Sequence, residues 1–407
     1  MVRKIALIGA RLSTNLGGPS LLVSTKMALS TVFPDADYTL FVPTDSYESD
    51  KMLAPRYGVK VLPFYRTKWL PLLALLRRWT KVLTGSASSK ATITALEEAD
   101  VIIDIWGILF ADQIVSNTFR SGLAGGFKFV LGKMLGKPVI KYTADLGPFN
   151  YKWNRIFSKL YLGHFVDLIL VRDKTSYKCV EELGIKTPIL TVPDTAFLLQ
   201  PCESKESEFY AALRKEGPLI GLSVSFQARN RASDPAIYLT TMKEFVKYLI
   251  AKYSAHVVVI PNEVSETAAN DARIAEEIRA EVADDCCEAL HIDSLLAQEI
   301  KGVINQCDVI VASRYHTIVA ALSLGIPTLA IGWHHKYMGV LEFFKQEHWL
   351  CDIKDLELED LIKKFEALWN NREKVRETIL SYLPDVKERI AAGARETRKI
   401  ISEKSKR

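Results

Sequence analysis

An arginine and a histidine lie two residues apart where a buried strand is predicted to meet a helix. The segment "CDVIVASRYHTIVAALSLGIP", residues 307–327, has an apolar strand pattern, then a helical pattern closed by a glycine and a proline. With Ser313 as the predicted N-cap, Arg314 and His316 fall at the carboxyl end of the strand. Ligands of open α/β sheets bind at that edge, where helix N–H groups already favour an anion.

These side chains have the chemistry of a site for a small acid. A guanidinium presents a planar fork to a carboxylate or phosphate, and an imidazole can exchange a proton near neutral pH. Arg314 and His316 are therefore candidate catalytic and ligand-binding residues, with Ser313 beside them as a candidate ligand-binding residue. The alternative interpretation is an arginine paired with a neighbouring carboxylate and a histidine that caps a turn.

A second arginine ends a predicted strand in the first half of the chain. In "DLILVRDKTS", residues 167–176, Arg172 has the same position relative to its strand as Arg314 has in the second half. It is a candidate for the same ligand, approached from the other side of a predicted cleft. The alternative is a turn in which Arg172 pairs with Asp173 while Ser176 caps the next helix.

A lysine and two histidines follow the next predicted strand, in "IGWHHKYMG". Lys336 could reach the same crevice as a point charge for phosphate. His334 and His335 are adjacent and lack the spacing that places two imidazoles on one metal ion. They are interpreted as loop residues, at least one of them structural, and no metal site is predicted.

Polar side chains at strand ends in the first half are weaker candidates, for binding a sugar. Asn15 lies in the glycine-rich turn "NLGGPS", which matches neither the GxGxxG nor the phosphate-loop pattern. Asp104, Asp112 and Asp145 lie at or after later strands, where a carboxylate could act as general base on a sugar hydroxyl. Carboxylates in such positions more often cap a helix or pair with an arginine.

The composition favours a soluble globular protein and is compatible with small anionic substrates or an anionic membrane surface. The chain has 407 residues, 48% of them hydrophobic and 25% charged, and a formal net charge of +5. That charge is too small and too dispersed for a nucleic-acid surface. The six cysteines form no CxxC pair, and no signal peptide or membrane-spanning segment is predicted, so a cytoplasmic location is expected. The sequence leaves the oligomeric state open.

Short β-branched runs alternate with longer helical patterns, which predicts two doubly wound parallel-sheet, Rossmann-like domains facing a cleft. The predicted boundaries are residues 1–200 for the first domain and 219–385 for the second. Residues 201–218 are polar and bracketed by prolines, which is typical of a linker. Residues 386–407 are predicted to form a basic helix with a charged tail.

One leucine-rich and basic stretch, residues 66–83, reads "RTKWLPLLALLRRWTKVL". Its pattern favours an amphipathic helix packed on the sheet. The alternative is a peripheral contact with anionic lipid headgroups at the inner face of the cell membrane, since basic and aromatic residues suit that boundary.

The order and spacing of the motifs resemble the polysaccharide pyruvyl transferase family. The resemblance extends from the first helix to Lys336, and the Arg-x-His segment is its most specific part. The matching segments are "NLGGPSLL", "ADVIIDIWGILFAD", "LGKPVIKYTADLGPF", "LILVRDKTSYKCVEELGI", "VPDTAF" and "SRYHTIVAALSLGIPTLAIGWHHK".

The resemblance implies a fold like that of GT-B glycosyltransferases and a role in cell-surface glycan biosynthesis. The implied reaction moves the enolpyruvyl carbons of phosphoenolpyruvate onto two hydroxyls of a sugar or lipid-linked oligosaccharide as a pyruvate ketal, with release of phosphate. Phosphoenolpyruvate is then the donor substrate, and no other cofactor is implied. At matching motif positions, Arg172 and Arg314 would balance its charges and His316 would protonate its methylene carbon.

Two segments depart from the family pattern, and both lie on the predicted acceptor side. Members often carry an acidic residue in the first glycine-rich loop, where this chain has "GGPS", and a glycine-rich run where this chain has "DIWGILF". These departures bear on the identity of the acceptor.

Two other function classes share the fold. A nucleotide-sugar glycosyltransferase usually has a carboxylate for ribose in the helix after the Arg314 strand, and "SRYHTIVAALSLG" has none. A non-catalytic member that binds an anion or a sugar would be compatible with the fold but would not need Arg172, Arg314 and His316 together.

Overall fold

The computed structural model describes residues 2–65, 70–81, 85–112, 115–263 and 270–404. The chain forms two compact units, each described here by itself. The first comprises Met1–Ser13, Leu21–Thr195 and Glu388–Arg407, and the second comprises Thr14–Ser20 and Ala196–Lys387. The chain thus contributes a short piece of its first loop and helix to the second unit and returns to the first unit at its end.

The first unit is built on a parallel sheet in the strand order β3-β2-β1-β4-β6-β7-β8, with the short β5 paired to β6. Strands β4, β6 and β7 are buried along their whole length, as expected of parallel strands covered on both faces. The strands are β1 Lys4–Ile8, β2 Asp37–Pro43, β3 Lys60–Phe64, β4 Val101–Asp104, β5 Ile108–Leu109, β6 Val139–Leu146, β7 Leu168–Val171 and β8 Ile189–Thr191.

The second unit has a six-stranded parallel sheet in the order β11-β10-β9-β12-β13-β14. In both sheets the first strand is central, the next two strands are added on one side of it, and the later strands are added on the other side. The strand order therefore reverses between β1 and β4 and between β9 and β12. The strands are β9 Leu219–Ser223, β10 His256–Val259, β11 Cys287–Ala289, β12 Val309–Ala312, β13 Thr328–Gly332 and β14 Leu350–Asp352.

Helices connect the strands of both sheets. They are α1 Gly17–Ser30, α2 Tyr47–Leu53, α3 Leu70–Thr80, α4 Ala87–Glu97, α5 Phe119–Gly125, α6 Phe127–Met134, α7 Lys152–His164, α8 Lys174–Glu181, α9 Lys205–Glu216, α10 Phe226–Arg229, α11 Pro235–Tyr253, α12 Asp271–Val282, α13 Ala297–Ile304, α14 Tyr315–Ser323, α15 His335–Glu342, α16 Leu358–Asn370 and α17 Arg372–Lys404. The prediction of two parallel-sheet α/β domains is confirmed.

One segment differs from its prediction, and another agrees with it. Residues 201–218, which were predicted to be a linker, contain α9, which begins with a capping box between Ser204 and Ser207. The basic end of the chain belongs to α17 and groups with the first unit, where the Lys404 ammonium lies 3.0 Å from the Asp167 carboxylate.

Residues 70–81 of the leucine-rich stretch contain helix α3, whereas residues 66–69 and 82–84 lie outside the described part of the chain. Leu70 and Ala74 are buried, while Trp79 is 79% exposed. The helix is therefore amphipathic, as predicted, and a contact with lipid headgroups stays a prediction. Across the described residues, no helix combines the length and the apolarity that crossing a membrane requires.

A buried lysine in the second unit makes stability depend on pH. Lys301 is 2% exposed and donates to the Leu199 carbonyl, and burial, with a smaller contribution from Lys387, lowers its pKa to about 7. In the unfolded chain the same amine binds its proton up to a pH near its ordinary pKa of 10.5. The unfolded state therefore holds more protons between these values, so the free energy of unfolding should rise with pH there.

We expect Lys301→Met to remove this rise, which for one proton is about 1.4 kcal/mol per pH unit. Thermal unfolding of both proteins at several pH values between about 7 and 10 would show the wild type gaining on the variant as the pH increases. Lys363→Met, at a side chain that is 70% exposed, is the matched control. If the difference in stability between the wild type and Lys301→Met did not change with pH, the lowered pKa of Lys301 would be contradicted.

Candidate active site

The Arg-x-His segment lies where the strand order of the second sheet reverses. Ser313 follows β12, its backbone N–H donates to the Ser223 carbonyl at the end of β9, and Arg314 is the N-cap residue of α14. The Tyr238 hydroxyl lies 3.0 Å from Ser313 Oγ, and the Tyr337 hydroxyl donates to the Ser313 carbonyl at 2.9 Å. These bonds fix the turn at a position where open α/β sheets bind ligands.

Arg314 is held by two carboxylates of its own unit. Its Nε and Nη2 atoms donate to the two oxygens of Asp271, both at 2.5 Å, and Nη2 also donates to Glu263 at 2.7 Å. Burial by itself lowers the pKa of Arg314, but the charges and hydrogen bonds of Asp271 and Glu263 raise it by more. The pKa is therefore above its ordinary value, and the guanidinium stays charged. The paired arginine that the sequence left as an alternative is thus present. The pairing also fixes the plane of the guanidinium.

His316 lies on the first turn of α14 and packs against Gly17 at the start of α1. A Cβ atom built on Gly17 would lie 2.5 Å from His316 Cε1 and 2.6 Å from Nδ1. Only a glycine leaves room for the imidazole in this position. The sequence singled out Gly17 as a turn residue, but its contact with His316 crosses almost three hundred residues of chain and has no local signature.

We expect Gly17→Ala to displace the imidazole and leave the fold intact, because Gly17 begins a helix and alanine favours that conformation. If His316 transfers a proton, a displacement of about 1 Å should lower turnover by roughly 100-fold. The measurement is kcat together with the unfolding temperature. Gly163→Ala, at a helical glycine where the added Cβ would meet Ile185 at 3.1 Å, is the control. Unchanged turnover in Gly17→Ala would show that His316 does not need this position.

Lys336 lies over three aromatic rings of the second unit. Its ammonium is 5.1 Å from the centroid of Tyr315, 5.2 Å from that of Trp333 and 5.4 Å from that of Tyr337. Such cation–π contacts hold the ammonium group of a lysine in place. Lys336 lies at the start of α15, one strand along from Arg314.

His334 is the N-cap of α15, which confirms that one of the two adjacent histidines is structural. Its Nδ1 accepts from the Lys336 backbone N–H at 3.2 Å, so the ring proton is on Nε2. Burial, and then the charges of His335, Lys336 and Arg231, lower the pKa of His334 to about 3. His334 is therefore a neutral donor, and its buried Nε2 has no hydrogen-bond partner among the residues the structure describes.

Arg231 is a cation near this site that the sequence did not single out. Its guanidinium lies 4.0 Å from the centroid of the Trp333 ring, and its Nη1 donates to the Gln227 side chain at 2.7 Å. Burial lowers the pKa of Arg231, and the charge of Arg314 lowers it further. The residue follows α10, after the end of β9, and only its position after a strand could have drawn attention to it.

Arg172, at the end of β7 in the first unit, is also paired with carboxylates. Its Nη1 lies 3.1 Å from Asp145, its Nη2 lies 2.9 Å from Asp194, and its Nε donates to the Thr143 carbonyl at 3.1 Å. The alternative interpretation had Ser176 as the cap of the next helix, but Asp173 caps α8 by accepting from the Ser176 N–H at 2.6 Å. Sequence reasoning missed Asp194 although it lies in the "VPDTAF" motif.

The four candidate acceptor residues all make structural contacts. Asn15 accepts from the Gly18 N–H at the start of α1, and Asp112 accepts from the Asn150 N–H and the Asn154 amide at the start of α7. Asp145 pairs with Arg172, and Asp104 lies between two lysines. These contacts agree with the caps and ion pairs that the sequence gave as alternatives, and acceptor binding by these residues stays a prediction.

Comparison with known proteins decides the family. The family model for polysaccharide pyruvyl transferase matches residues 15–335, well over half of the chain. The chain belongs to this family. Ser313, Arg314 and His316 lie inside the matched range, and Lys336 and Tyr337 follow it directly.

A relative of this family member is the amylovoran biosynthesis protein AmsJ of Erwinia amylovora. The two chains are 20% identical over 299 residues, which cover 70% of this chain and 69% of the relative. Both comparisons support a transferase that acts in polysaccharide biosynthesis. The predictions of a transferase and of a role in glycan biosynthesis are therefore confirmed.

Solved structures support the fold of this family member. The UDP-GlcNAc 2-epimerase of Neisseria meningitidis bound to UDP-GlcNAc has a TM-score of 0.59 at 11% identity, covering 99% of each chain. Sucrose-phosphate synthase of Thermosynechococcus elongatus has a TM-score of 0.59 at 11% identity, covering 98% of this chain and 100% of that chain. A putative UDP-N-acetylglucosamine 2-epimerase of Listeria monocytogenes has a TM-score of 0.58 at 14% identity, with coverages of 93% and 90%. At these identities the likeness concerns the fold alone, and it confirms the predicted GT-B-like class.

Proposed function

We propose that the protein transfers the enolpyruvyl group of phosphoenolpyruvate to two hydroxyls of one sugar. The observation that carries the proposal is Arg314 and His316 on one turn, at the point where the strand order of the second sheet reverses. The acceptor is proposed to be a sugar or oligosaccharide, free or lipid-linked, of a cell-surface polysaccharide.

The proposed reaction balances without a redox partner. A proton adds to the methylene carbon of phosphoenolpyruvate, which makes C2 electrophilic. The first sugar hydroxyl adds to C2, the bond between C2 and the phosphate oxygen breaks, and the second hydroxyl adds to C2. One hydroxyl proton replaces the proton given to the methylene carbon and the other leaves with inorganic phosphate, so the product is a pyruvate ketal.

His316 is the proposed general acid for the methylene carbon. It occupies the first turn of α14, next to Arg314, and Gly17 fixes the position of its ring. An imidazole gains and loses a proton near neutral pH, so it can return to the charged form after each turnover. Mutational losses for such a group are typically about 10²–10⁴-fold.

The cations of the second unit suit a donor with a carboxylate and a phosphate. Arg314, with its plane fixed by Asp271, is proposed to bind the carboxylate or the phosphate. Lys336 and Arg231 add positive charge beside Trp333, and His334 adds a neutral N–H donor. Ser313 contributes the fixed backbone of the turn.

Arg172 is proposed as a further donor-binding residue from the first unit, on the strength of the family motif. Its two carboxylate partners hold its guanidinium in one orientation. This assignment can be tested separately from that of Arg314, because the contacts cited for Arg172 are with Asp145 and Asp194 and those cited for Arg314 are with Glu263 and Asp271.

Calorimetric titration of the protein with phosphoenolpyruvate, and separately with UDP-GlcNAc, tests the proposal. We expect binding of phosphoenolpyruvate with a dissociation constant in the range of ordinary enzyme substrates, about 1 μM to 1 mM, and weaker binding of the nucleotide-sugar. Binding of UDP-GlcNAc alone would favour a glycosyltransferase. Binding of phosphoenolpyruvate without phosphate release, across a panel of sugar acceptors, would favour a non-catalytic member.

A further inference from the structure

A cavity in the first unit lies at the carboxyl ends of its central strands. It has a volume of about 210 Å³, and its walls include Gly9 after β1, Phe64 at the end of β3, Trp106 after β4, and Phe127 and Lys128 on α6. The order of the first sheet reverses between β1 and β4, so the cavity occupies the position where open α/β sheets bind ligands. None of the four predicted acceptor residues lines it.

Trp106 is the exposed aromatic wall of this cavity, with 41% of its surface accessible. Its backbone is fixed from below by buried charges. The Trp106 N–H donates to Asp104 Oδ1 at 3.2 Å, and the ammonium of Lys141, which is fully buried, donates to the Trp106 carbonyl at 2.6 Å. On the other side, a Cβ atom on Gly9 would lie 2.7 Å from the Trp106 nitrogen, so only glycine permits this approach.

Asp104 therefore acts through Trp106. Burial raises the pKa of Asp104, but the charges of Lys128 and Lys141 lower it more, and the carboxylate stays ionised. Its oxygens lie 2.7 Å from the Lys128 ammonium and 3.2 Å from that of Lys141. Because its side chain is only 1% exposed and is held by both lysines, Asp104 is assigned the role of a positioning residue for Trp106 rather than that of a general base.

Among its described lining residues, the cavity presents one charged group to an occupant, and that group is already paired. Lys128 is the one cation that lines it in the described residues, and Asp104 offsets that charge. The Lys128 ammonium also lies 5.6 Å from the centroid of the Trp106 ring. Lys128 can still donate a hydrogen bond to a neutral oxygen. The remaining walls are mostly aromatic and aliphatic, with Phe64 and Phe127 in edge-to-face contact at 6.4 Å.

We propose that this cavity binds one neutral pyranose ring of the acceptor, with its C–H face on Trp106 and a hydroxyl on Lys128. An exposed indole supplies a large rigid apolar surface for such a face, and a single polar group fixes orientation. The volume of about 210 Å³ lies below the roughly 300–1,000 Å³ of sites for drug-sized ligands, which limits the occupant to about one ring. A prenyl chain would need a longer groove and would offer no oxygen to Lys128.

The inference rests on the proposed function for the role of the sugar, but its test does not depend on catalysis. Saturation-transfer difference NMR would be recorded with three probes, the methyl pyranosides of glucose, galactose and mannose. We expect transfer to the ring protons of at least one probe with the wild-type protein. Trp106→Ala removes the aromatic wall and Ala124→Phe, at an exposed lining residue, fills the cavity. Each should weaken binding about tenfold or more.

Trp79→Ala, at a tryptophan that is 79% exposed and does not line the cavity, is the matched control and should keep the signal. The inference is overturned if no probe shows transfer with the wild type, if transfer persists in both cavity variants, or if farnesol displaces the sugar. Phosphoenolpyruvate titrated into the same variants separates the two proposals. Binding of a sugar without binding of phosphoenolpyruvate would contradict the proposed reaction and leave the proposed sugar site intact. Binding of phosphoenolpyruvate without binding of a sugar would contradict the sugar site alone.

Discussion

Replacement of His316 by alanine should reduce turnover by roughly 10²–10⁴-fold and leave donor affinity within about twofold of wild type. The imidazole is assigned to a proton transfer, which occurs only in the transition state, while the charges that hold the donor belong to other side chains. A change in kcat without a change in donor binding is the signature of such a group.

The substitution should also spare the fold. His316 lies on the first turn of α14, partly exposed, and its ring packs on Gly17 rather than in the apolar core. His291→Ala, at a side chain that is 85% exposed, is the matched control and should have wild-type turnover. Donor affinity is measured by calorimetry and kcat by acceptor-dependent release of phosphate. Full activity of the His316→Ala protein would remove the proposed general acid.

Arg314→Lys should weaken phosphoenolpyruvate binding by roughly tenfold or more, since a charge-assisted hydrogen bond contributes about 1.5–3 kcal/mol. The present guanidinium donates to Asp271 through Nε and Nη2 and to Glu263 through Nη2, and its plane is fixed by these contacts. Lysine keeps the positive charge but cannot satisfy two carboxylates and a ligand in one plane. The loss should therefore fall on the contact with the ligand.

Stability distinguishes this effect from a structural one. Asp271 has no exposed side-chain surface, so a variant that removes the charge, Arg314→Met, should be destabilised by about 3–5 kcal/mol. Arg314→Lys should retain most of that stability. Arg279→Lys, at an exposed pair on the same helix as Asp271, controls for the exchange itself. Unchanged donor affinity in Arg314→Lys would show that Arg314 serves only as the counter-ion of Asp271.

The fold could be read from the sequence because its determinants are local. Apolar runs such as "DVIVAS" and "LILVRD" are short, β-branched and separated by helical patterns, which is sufficient for parallel α/β units. Lys205–Glu216 was missed for the opposite reason, since its polar composition suggested a linker although the residues that cap it are present.

The site was only partly predictable, because its contacts join distant parts of the chain. The position of Arg314 at a strand end follows from the local pattern, but its partner Asp271 lies 43 residues away. The same holds for the ion pair of Arg172 with Asp194 and for the contact of His316 with Gly17. Each contact depends on how its own unit folds. Arg231 carries no motif of its own.

The carboxylates show the limit of reasoning from strand ends. Asp104, Asp112 and Asp145 were correctly placed near the ends of strands, where a general base could lie. The structure gives each a cationic or capping partner, and the residue that faces a cavity beside Asp104 is Trp106. A lone tryptophan after a strand has no pattern that marks it as a wall of a ligand site.

The most direct test of the account is a product analysis with phosphoenolpyruvate labelled with carbon-13 at C2 and a panel of sugar acceptors. The account predicts that inorganic phosphate and a ketal carbon bonded to two sugar oxygens appear in equal amounts, and that His316→Ala forms both roughly 100-fold or more slowly. The account would be contradicted if the protein transferred a sugar from a nucleotide-sugar and left phosphoenolpyruvate unchanged with every acceptor of the panel.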